Sequence, residues 1–345
     1  MKVTIARLAA RLRSPLVSAR GATEVRELLL LRLETGAGAT GFGEAAPLEH
    51  YDGVSLADCR AALEDCRGIL ARGETGDRAE LLEACRRAAV LPQALAAVDL
   101  ALWDLAGRQQ GQPVWRLLGA AEAAPTEVNH TISSPDRAGA AAEALRARAS
   151  GYRTVKVKVG TGDDAGRLAA VRAAAGPEVA IRLDANGAWS VPEARAALRA
   201  LEPSGVECCE EPVHGLDALA ELSVLTEVAL SMDETAALPG ALDRRVCTAA
   251  CLKISRCGGI SGVLDAAARA RAAGYEVYLA STLDGPLGIA AALHAAAVIV
   301  PERASGLATL GLFAEREAPL SPREGYLAPP RGAGLGDGLT GWYER

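Results

Sequence analysis

From about residue 125 onward the chain repeats one couplet: a short apolar run, then an alanine-rich amphipathic stretch, then another run. The runs are TEVNHTI, TVKVKVG, VAIRLDA, VECCEEP, VALSMDE, AACLKIS, YEVYLAS and RASGLAT, spaced about 20 to 28 residues apart. Between them lie DRAGAAAEALRARASG, DAGRLAAVRAAAG and VPEARAALRALEP, each apolar on one helical face. A strand buried on both faces reads as a near-continuous apolar run, and parallel neighbours need a crossover, usually a helix. Eight strand-helix couplets predict an α/β protein built on a (β/α)8 barrel. An open doubly wound sheet is the rival. No GxGxxG or GxxxxGK(S/T) follows any run to support it, and GTGDDAG after the second run imitates a phosphate loop only weakly.

The first 124 residues follow a different plan. KVTIARLAARL and VRELLLLRLET read as strands separated by the polar RSPLVSARGATE, and GATGFGEAAPL follows, its glycines marking turns and a close backbone approach. Residues 54 to 71, 77 to 87 and 90 to 110 read as helices, the last ending on Gly111. Sheet first and helices after predict a small α+β unit over 1–124, ahead of a barrel over 125–318. The remaining 319–345, rich in glycine and proline, reads as a return segment that completes the N-terminal unit, with Trp342 and Tyr343 as anchors.

Composition narrows the functional classes. A net charge of −6 and the lack of any basic block disfavour nucleic acid, whose phosphates need a basic face. Arginines interrupt MKVTIARLAARLRSPL, so it lacks the apolar core of a signal peptide, and no run approaches a membrane span. These features predict a soluble cytoplasmic chain without membrane partners. Eight cysteines include no CxxC pair; Cys247 and Cys251 are four apart without a nearby histidine, so buried reduced thiols are expected rather than a zinc site.

In a barrel, chemistry gathers at the C-terminal ends of the strands. Alternation puts Lys156 and Lys158 of TVKVKVG on one face, where a lysine needs a partner or a task. The next strand ends carry Asp184 and Asn186, then Glu210 and Glu211, then Asp233 and Glu234. Lys253 follows on the sixth strand, and Asp284 comes after the seventh. Carboxylates on three successive strands make an all-oxygen set for a hard cation such as Mg2+. Lysines on the second and sixth strands flank it from opposite sides. A lysine near positive charge has a lowered pKa and can serve as a base. The pattern suits removal of a proton next to a carboxylate.

GFGEAAPL in the N-terminal unit, then KVKVG, LDANGAW, EEP, MDE and LKISRCGGI in order, resemble the enolase superfamily in its muconate-lactonizing subgroup. The resemblance covers nearly the whole chain. It implies a modified TIM barrel under an N-terminal capping domain. It implies Asp184, Glu211 and Asp233 as ligands of Mg2+, with Mn2+ as an allowed substitute. Lys158 is the implied acid/base, Lys156 the like-charged neighbour that tunes it, and Lys253 the opposite lysine. Asn186 and Glu210 are implied as groups behind the ligands, with Glu234 and Asp284 as supporting or substrate-binding residues.

Within that subgroup GFGEAAPLEHYDGVSLADCRAAL and LASTLDGPLGIAAALHAAA followed by ASGLATLGLF are most similar to o-succinylbenzoate synthases. That likeness implies a lyase of menaquinone biosynthesis that forms an enediolate and expels a hydroxyl. Two other readings stay open: a dipeptide epimerase or N-acylamino acid racemase using both lysines, and a muconate-type cycloisomerase. All share the metal and the lysines. A binding protein of the same fold would have lost a ligand or a lysine, and none is lost. The expected partner is a small carboxylate; the oligomeric state is left open, a homo-oligomer included. His50, Tyr51 and RSPLVSARGATE are expected to help close the site. His130 faces either the site or the core, and His214, His294, Trp103 and Trp115 are expected to be structural.

Overall fold

A computed structural model describes residues 1–345 except 20, 75 and 345. The N-terminal sheet is antiparallel in the order β1 (Lys2–Ser18), β2 (Gly21–Glu34), β3 (Thr40–Ala45). Four helices follow: α1 (Glu49–Asp52), α2 (Leu56–Arg72), α3 (Arg78–Ala88) and α4 (Pro92–Gln110), with a short α5 (Val114–Leu117) after them. The sheet packs on α4 through Gly41 and Gly43. A Cβ at either glycine would collide with the backbone carbonyls of Ala101 and Ala97, so GFG sets how closely β3 approaches the helix.

RSPLVSARGATE is not a separating loop. β1 and β2 continue as one hairpin through it, with Leu16 opposite Thr23 and Ser18 opposite Gly21. A shift of register between Arg11 and Leu16 lets the polar tip bend without breaking the ladder. Polarity alone does not distinguish a hairpin from a loop, because among the described residues of this stretch only Thr23 is buried, too few to impose a period.

The barrel strands are β5 (His130–Ile132), β6 (Thr154–Lys158), β7 (Ala180–Asp184), β8 (Val206–Glu210), β9 (Ala229–Met232), β10 (Ala249–Lys253) and β11 (Glu276–Ala280), preceded by the short β4 (Thr126–Glu127). β5 to β11 form one parallel sheet in chain order. Residues 303–309, the expected eighth strand, supply isolated parallel bridges, Ser305 with Val128 and Gly306 with Ala280. Asn129 N donates to Ser305 O at 3.0 Å and Gly306 N to Leu279 O at 2.7 Å, so this segment ties the first strand to the last. The eighth strand is thus two bridges long.

Helices α6 (Arg137–Ala149), α7 (Asp164–Ala175), α8 (Val191–Leu201), α9 (Leu216–Ser223), α11 (Ile260–Ala272) and α12 (Pro286–Ile299) lie outside the strands, with a one-turn α10 (Ile254–Cys257) after β10. Asp136 and Asp163 cap α6 and α7, and Ser190 with Glu193 forms a capping box on α8. The fifth couplet departs from the expected repeat. Between β9 and β10 the chain makes a 3-10 turn (Glu234–Ala237), then irregular turns past Pro239 and Gly240, which has φ 76°. Proline and a left-handed glycine together do not propagate a helix.

The tail joins both layers. Its strand β12 (Tyr326–Leu327) pairs with β4. Leu335 N donates to Asp104 of α4 at 2.7 Å, Trp115 Nε1 donates to Pro330 O at 3.2 Å, and the phenol of Tyr343 bonds both Glu44 and, at 3.0 Å, Leu287 N of α12. All eight cysteines are free, and all but Cys257 are buried. Among the described residues no helix is long and apolar enough to cross a membrane.

Candidate active site

Strand register brings three charged residues side by side. Lys158 pairs with Asp184, and Asp184 with Glu210, as the last residues of β6, β7 and β8. Lys158 Nζ lies 2.6 Å from Asp184 Oδ2 and donates to Asn186 Oδ1 at 2.7 Å. Two residues back on the same face, Lys156 Nζ lies 3.0 Å from both Asp184 Oδ2 and Glu210 Oε1. Across the mouth Lys253 Nζ lies 2.7 Å from Asp233 Oδ2. Each lysine therefore has a carboxylate partner, which is what makes its burial tolerable.

Charges shape one another here. Burial disfavours the ammonium of Lys156, but Asp184 and Glu210 outweigh it and its pKa is raised. Burial likewise opposes the Lys253 ammonium and Asp233 overrules it. Burial pushes Asp184 upward, yet Lys156 and Lys158 hold its carboxyl far below the usual range. Glu210 is raised by burial and, against Lys156, by the neighbouring Asp184 and Asp233. Glu234, behind Asp233, is raised to about 7 by burial and the nearby Asp233 and Glu211.

Glu210, not Glu211, faces the barrel interior. Glu211 leaves the strand with φ 41°, which turns its side chain out of the ring. Its carboxylate accepts from Asp233 N at 2.7 Å, Thr235 N at 3.0 Å and Thr235 Oγ1 at 2.5 Å, with His214 Nδ1 at 2.9 Å. It ties the β8 and β9 loops together. In EEP the alternation is lost at the strand end, so the sequence does not tell which glutamate points inward. The inward carboxylates of Glu210 and Asp233 come within 4.8 Å of each other and of Cys251 Sγ. Three buried carboxylates, Asp184 and Glu210 at the ends of β7 and β8 and Asp233 just after β9, fit a hard divalent cation.

Asp284 is also displaced from its expected place. β11 ends at Ala280, and the chain turns through Leu283 at φ 59°. That carries Asp284 into the joint between cap and barrel, where Oδ1 accepts from Thr282 Oγ1 at 2.7 Å. Its neighbours there are Glu44 and the buried Arg26, whose guanidinium donates to the carbonyls of Thr282, Pro47 and Ala46. Glu44 also accepts from Gly285 N at 2.8 Å, and burial next to Asp284 pushes it up to about 8.

The cap closes the mouth. Leu16, Ser18, Thr23, Leu48, His50 and Tyr51 line the cavity above Lys156, Lys158, Asp184, Asn186, Asp233 and Lys253. Tyr51 OH accepts from Lys253 Nζ at 2.6 Å. Desolvation, with Asp233 and Glu234 nearby, keeps that phenol protonated. The far wall is Thr131, Ser281, Thr282, Leu283, Thr309 and Leu312. His130 stacks edge-on against Tyr152, with ring centroids 5.3 Å apart, outside that wall. His294 bridges Trp115 N and Leu335 O, and burial lowers it to about 4.

Tyr278 escaped the sequence reading. Its phenol donates to Glu210 Oε2 at 2.7 Å from β11, and Arg182 lies over its ring at 4.3 Å. The available signal was its phase: it sits two residues before Ala280, on the inward face of YEVYLAS.

Family models match both parts of the chain: "Enolase C-terminal domain-like" over residues 139–340, and "Mandelate racemase / muconate lactonizing enzyme, N-terminal domain" over residues 1–119. The chain is 30% identical over 311 residues to the L-Ala-D/L-Glu epimerase of Bacillus subtilis, covering 86% of this chain and 84% of that protein. It is 34% identical over 301 residues to the hydrophobic dipeptide epimerase of Roseobacter litoralis, covering 84% and 86%. An o-succinylbenzoate synthase of Mycobacterium tuberculosis is 41% identical, but over 217 residues, 59% of this chain and 64% of that one. Among solved structures, the N-succinyl Arg/Lys racemase of Bacillus cereus superposes with a TM-score of 0.90 at 26% identity, covering 99% and 98%. The dipeptide epimerase of Enterococcus faecalis, complexed with Mg and L-Leu-L-Tyr, gives 0.87 at 26%, covering 97% and 98%. Relatives matched over most of the chain include epimerases, a racemase and a muconate cycloisomerase of Rhodococcus opacus, 31% identical over 327 residues, whereas the synthase likeness is partial. The chain belongs to the enolase superfamily, with the N-terminal domain of the mandelate racemase and muconate lactonizing enzymes.

Proposed function

We propose that the protein racemises N-acylated α-amino acids by moving the α-proton between Lys158 and Lys253. The observation that carries this is the opposition of the two lysines across one cavity, each hydrogen-bonded to a different carboxylate of the same set. Mg2+ held by Asp184, Glu210 and Asp233 would neutralise the charge that develops on the substrate carboxylate. Lys158 takes the α-proton of one enantiomer and Lys253 takes it from the other; the opposite lysine returns a proton to the other face. Lys156 stays an ammonium and holds Asp184 and Glu210 at fixed spacing. Its charge also disfavours protonation of its neighbours.

Charge supports an anionic substrate. Asp184, Glu210 and Asp233 balance Lys156, Lys158 and Lys253, so an added divalent cation leaves the cavity positive. The wall supports an uncharged nitrogen. Among the described residues Asp184 and Asp233 are the only carboxylates lining the cavity, and both are engaged by lysines. A dipeptide's free ammonium would be buried without a counter-charge, which is costly, whereas an amide N–H can bond the hydroxyls of Thr131, Ser281 or Thr309.

A second reading rests on the 41% identity with o-succinylbenzoate synthases: Lys158 as base and then acid in a dehydration, with Lys253 as a fixed cation. One assay separates these. The protein with Mg2+ in deuterated water is given N-succinylamino acids, dipeptides and the cyclohexadiene precursor of succinylbenzoate. Deuterium at the α-carbon of both enantiomers of the N-succinyl compounds supports racemisation. Aromatisation of the precursor without such exchange sinks it.

A further inference from the structure

We infer that Tyr51 is a positioning residue for Lys253, so that the cap controls one of the two directions of proton transfer. The inference rests on the two-lysine reading of the site and adds an asymmetry to it.

The two lysines are held differently. Both partners of Lys158 come from the barrel: Asp184 ends β7 and Asn186 follows two residues later. Among its described hydrogen bonds Lys253 has one to the barrel, Asp233, and one to the cap, the phenol of Tyr51 at 2.6 Å. The ammonium also lies 4.3 Å from the centre of the Tyr51 ring. When a cation engages Asp233, the phenol is the partner that remains to aim Lys253.

Tyr51 is itself fixed from the cap. It lies in the single turn of α1, closed by Gly53 at φ 73°. Its neighbour Asp52 accepts from Leu48 N at 3.2 Å and Val54 N at 3.0 Å, which wraps the turn around one carboxylate. Gln93, buried on α4, donates to the same carboxylate at 2.7 Å. A displacement of α1 would therefore move the phenol, and the phenol would release Lys253. Lys158 has no such link among its described partners, so through this contact seating of the cap bears on Lys253 and not on Lys158.

The test is the Tyr51→Phe variant, assayed for α-proton exchange in deuterated water with each enantiomer of an N-succinylamino acid separately. The ring is kept and only the hydroxyl is removed. Exchange of the enantiomer served by Lys253 should fall about 10- to 100-fold in kcat, the worth of one hydrogen bond to a charged group. Exchange of the enantiomer served by Lys158 should change by no more than about threefold. A loss equal for both enantiomers, or no loss for either, overturns the proposal. Crystal structures of wild type and variant with Mg2+ decide it even if the wild type exchanges neither enantiomer, which would refute the racemase reading instead. They should show Lys253 Nζ on the phenol in the wild type and displaced in the variant. A wild-type Nζ beyond hydrogen-bond reach of Tyr51 contradicts the inference.

Discussion

The ammonium of Lys158 lies 2.6 Å from Oδ2 of Asp184. The same oxygen also has Lys156 at 3.0 Å, so one carboxylate oxygen carries two cations. A divalent ion held by Asp184 would compete with both, and would free Lys158 to act on a substrate. On the proposed mechanism, metal binding and release of Lys158 would therefore be coupled in this site.

Metal should stabilise the fold. Mg2+ at about 100 times its Kd is expected to add about 2.7 kcal/mol to the free energy of unfolding. Chelation should reverse this. Asp184→Asn should abolish the Mg2+-dependent shift in Tm. A shift of unchanged size in that variant would place the ion elsewhere.

The two adjacent glutamates should separate cleanly. Glu210→Gln is expected to lose most metal affinity by calorimetry. Glu211→Gln should keep metal affinity within a few-fold but lower stability by about 1–3 kcal/mol, because the N–H groups of Asp233 and Thr235 lose their charged acceptor. The reverse pattern would restore the order expected from the EEP motif.

Tyr278→Phe removes the hydroxyl that orients Glu210 and keeps the ring under Arg182. Loss of such an outer partner typically costs about 10- to 100-fold in metal affinity or activity. Titration with Mg2+ should show weaker binding with little change in thermal stability once metal is saturating.

Glu44 gives stability a pH dependence. Its carboxyl is raised from 4.5 to about 8 in the folded chain. The folded state thus prefers the protonated form. The contribution is fully present below about pH 4.5 and is lost as pH rises through about 8. Glu44→Gln cannot ionise. Denaturation with urea from pH 4.5 to 9 should show the variant gaining on wild type as pH rises. A constant difference would mean that Glu44 is ionised in both states.

Much of the barrel was legible because burial imposes a pattern. Seven apolar runs became strands in one parallel sheet, and Lys156, Lys158, Asp184, Asp233 and Lys253 fall where strand phase puts them. The failures lie where the pattern stops. The hairpin tip through Ser18 is at most half-buried, the Pro239-Gly240 turn replaces a helix, Glu211 itself has a left-handed backbone just past β8, and Asp284 follows the left-handed Leu283. Tyr51 reaches Lys253 from 202 residues away and no local period reports that contact, whereas for Tyr278 strand phase gives the inward face but not its partner Glu210. The substrate was least legible, because the synthase-like segments border a cavity whose chemistry depends on which hydroxyls and carboxylates finally face it.

The central claim is that Lys158 and Lys253 serve opposite faces of one α-carbon. The direct measurement is α-proton exchange in deuterated water by Lys158→Ala and Lys253→Ala, each given the separate enantiomers of an N-succinylamino acid with Mg2+. Each variant should lose racemisation, yet each should still exchange one enantiomer, and the two variants should retain opposite ones. If Lys253→Ala exchanges both enantiomers, or if both variants retain the same one, the two lysines do not share the proton and the account is wrong.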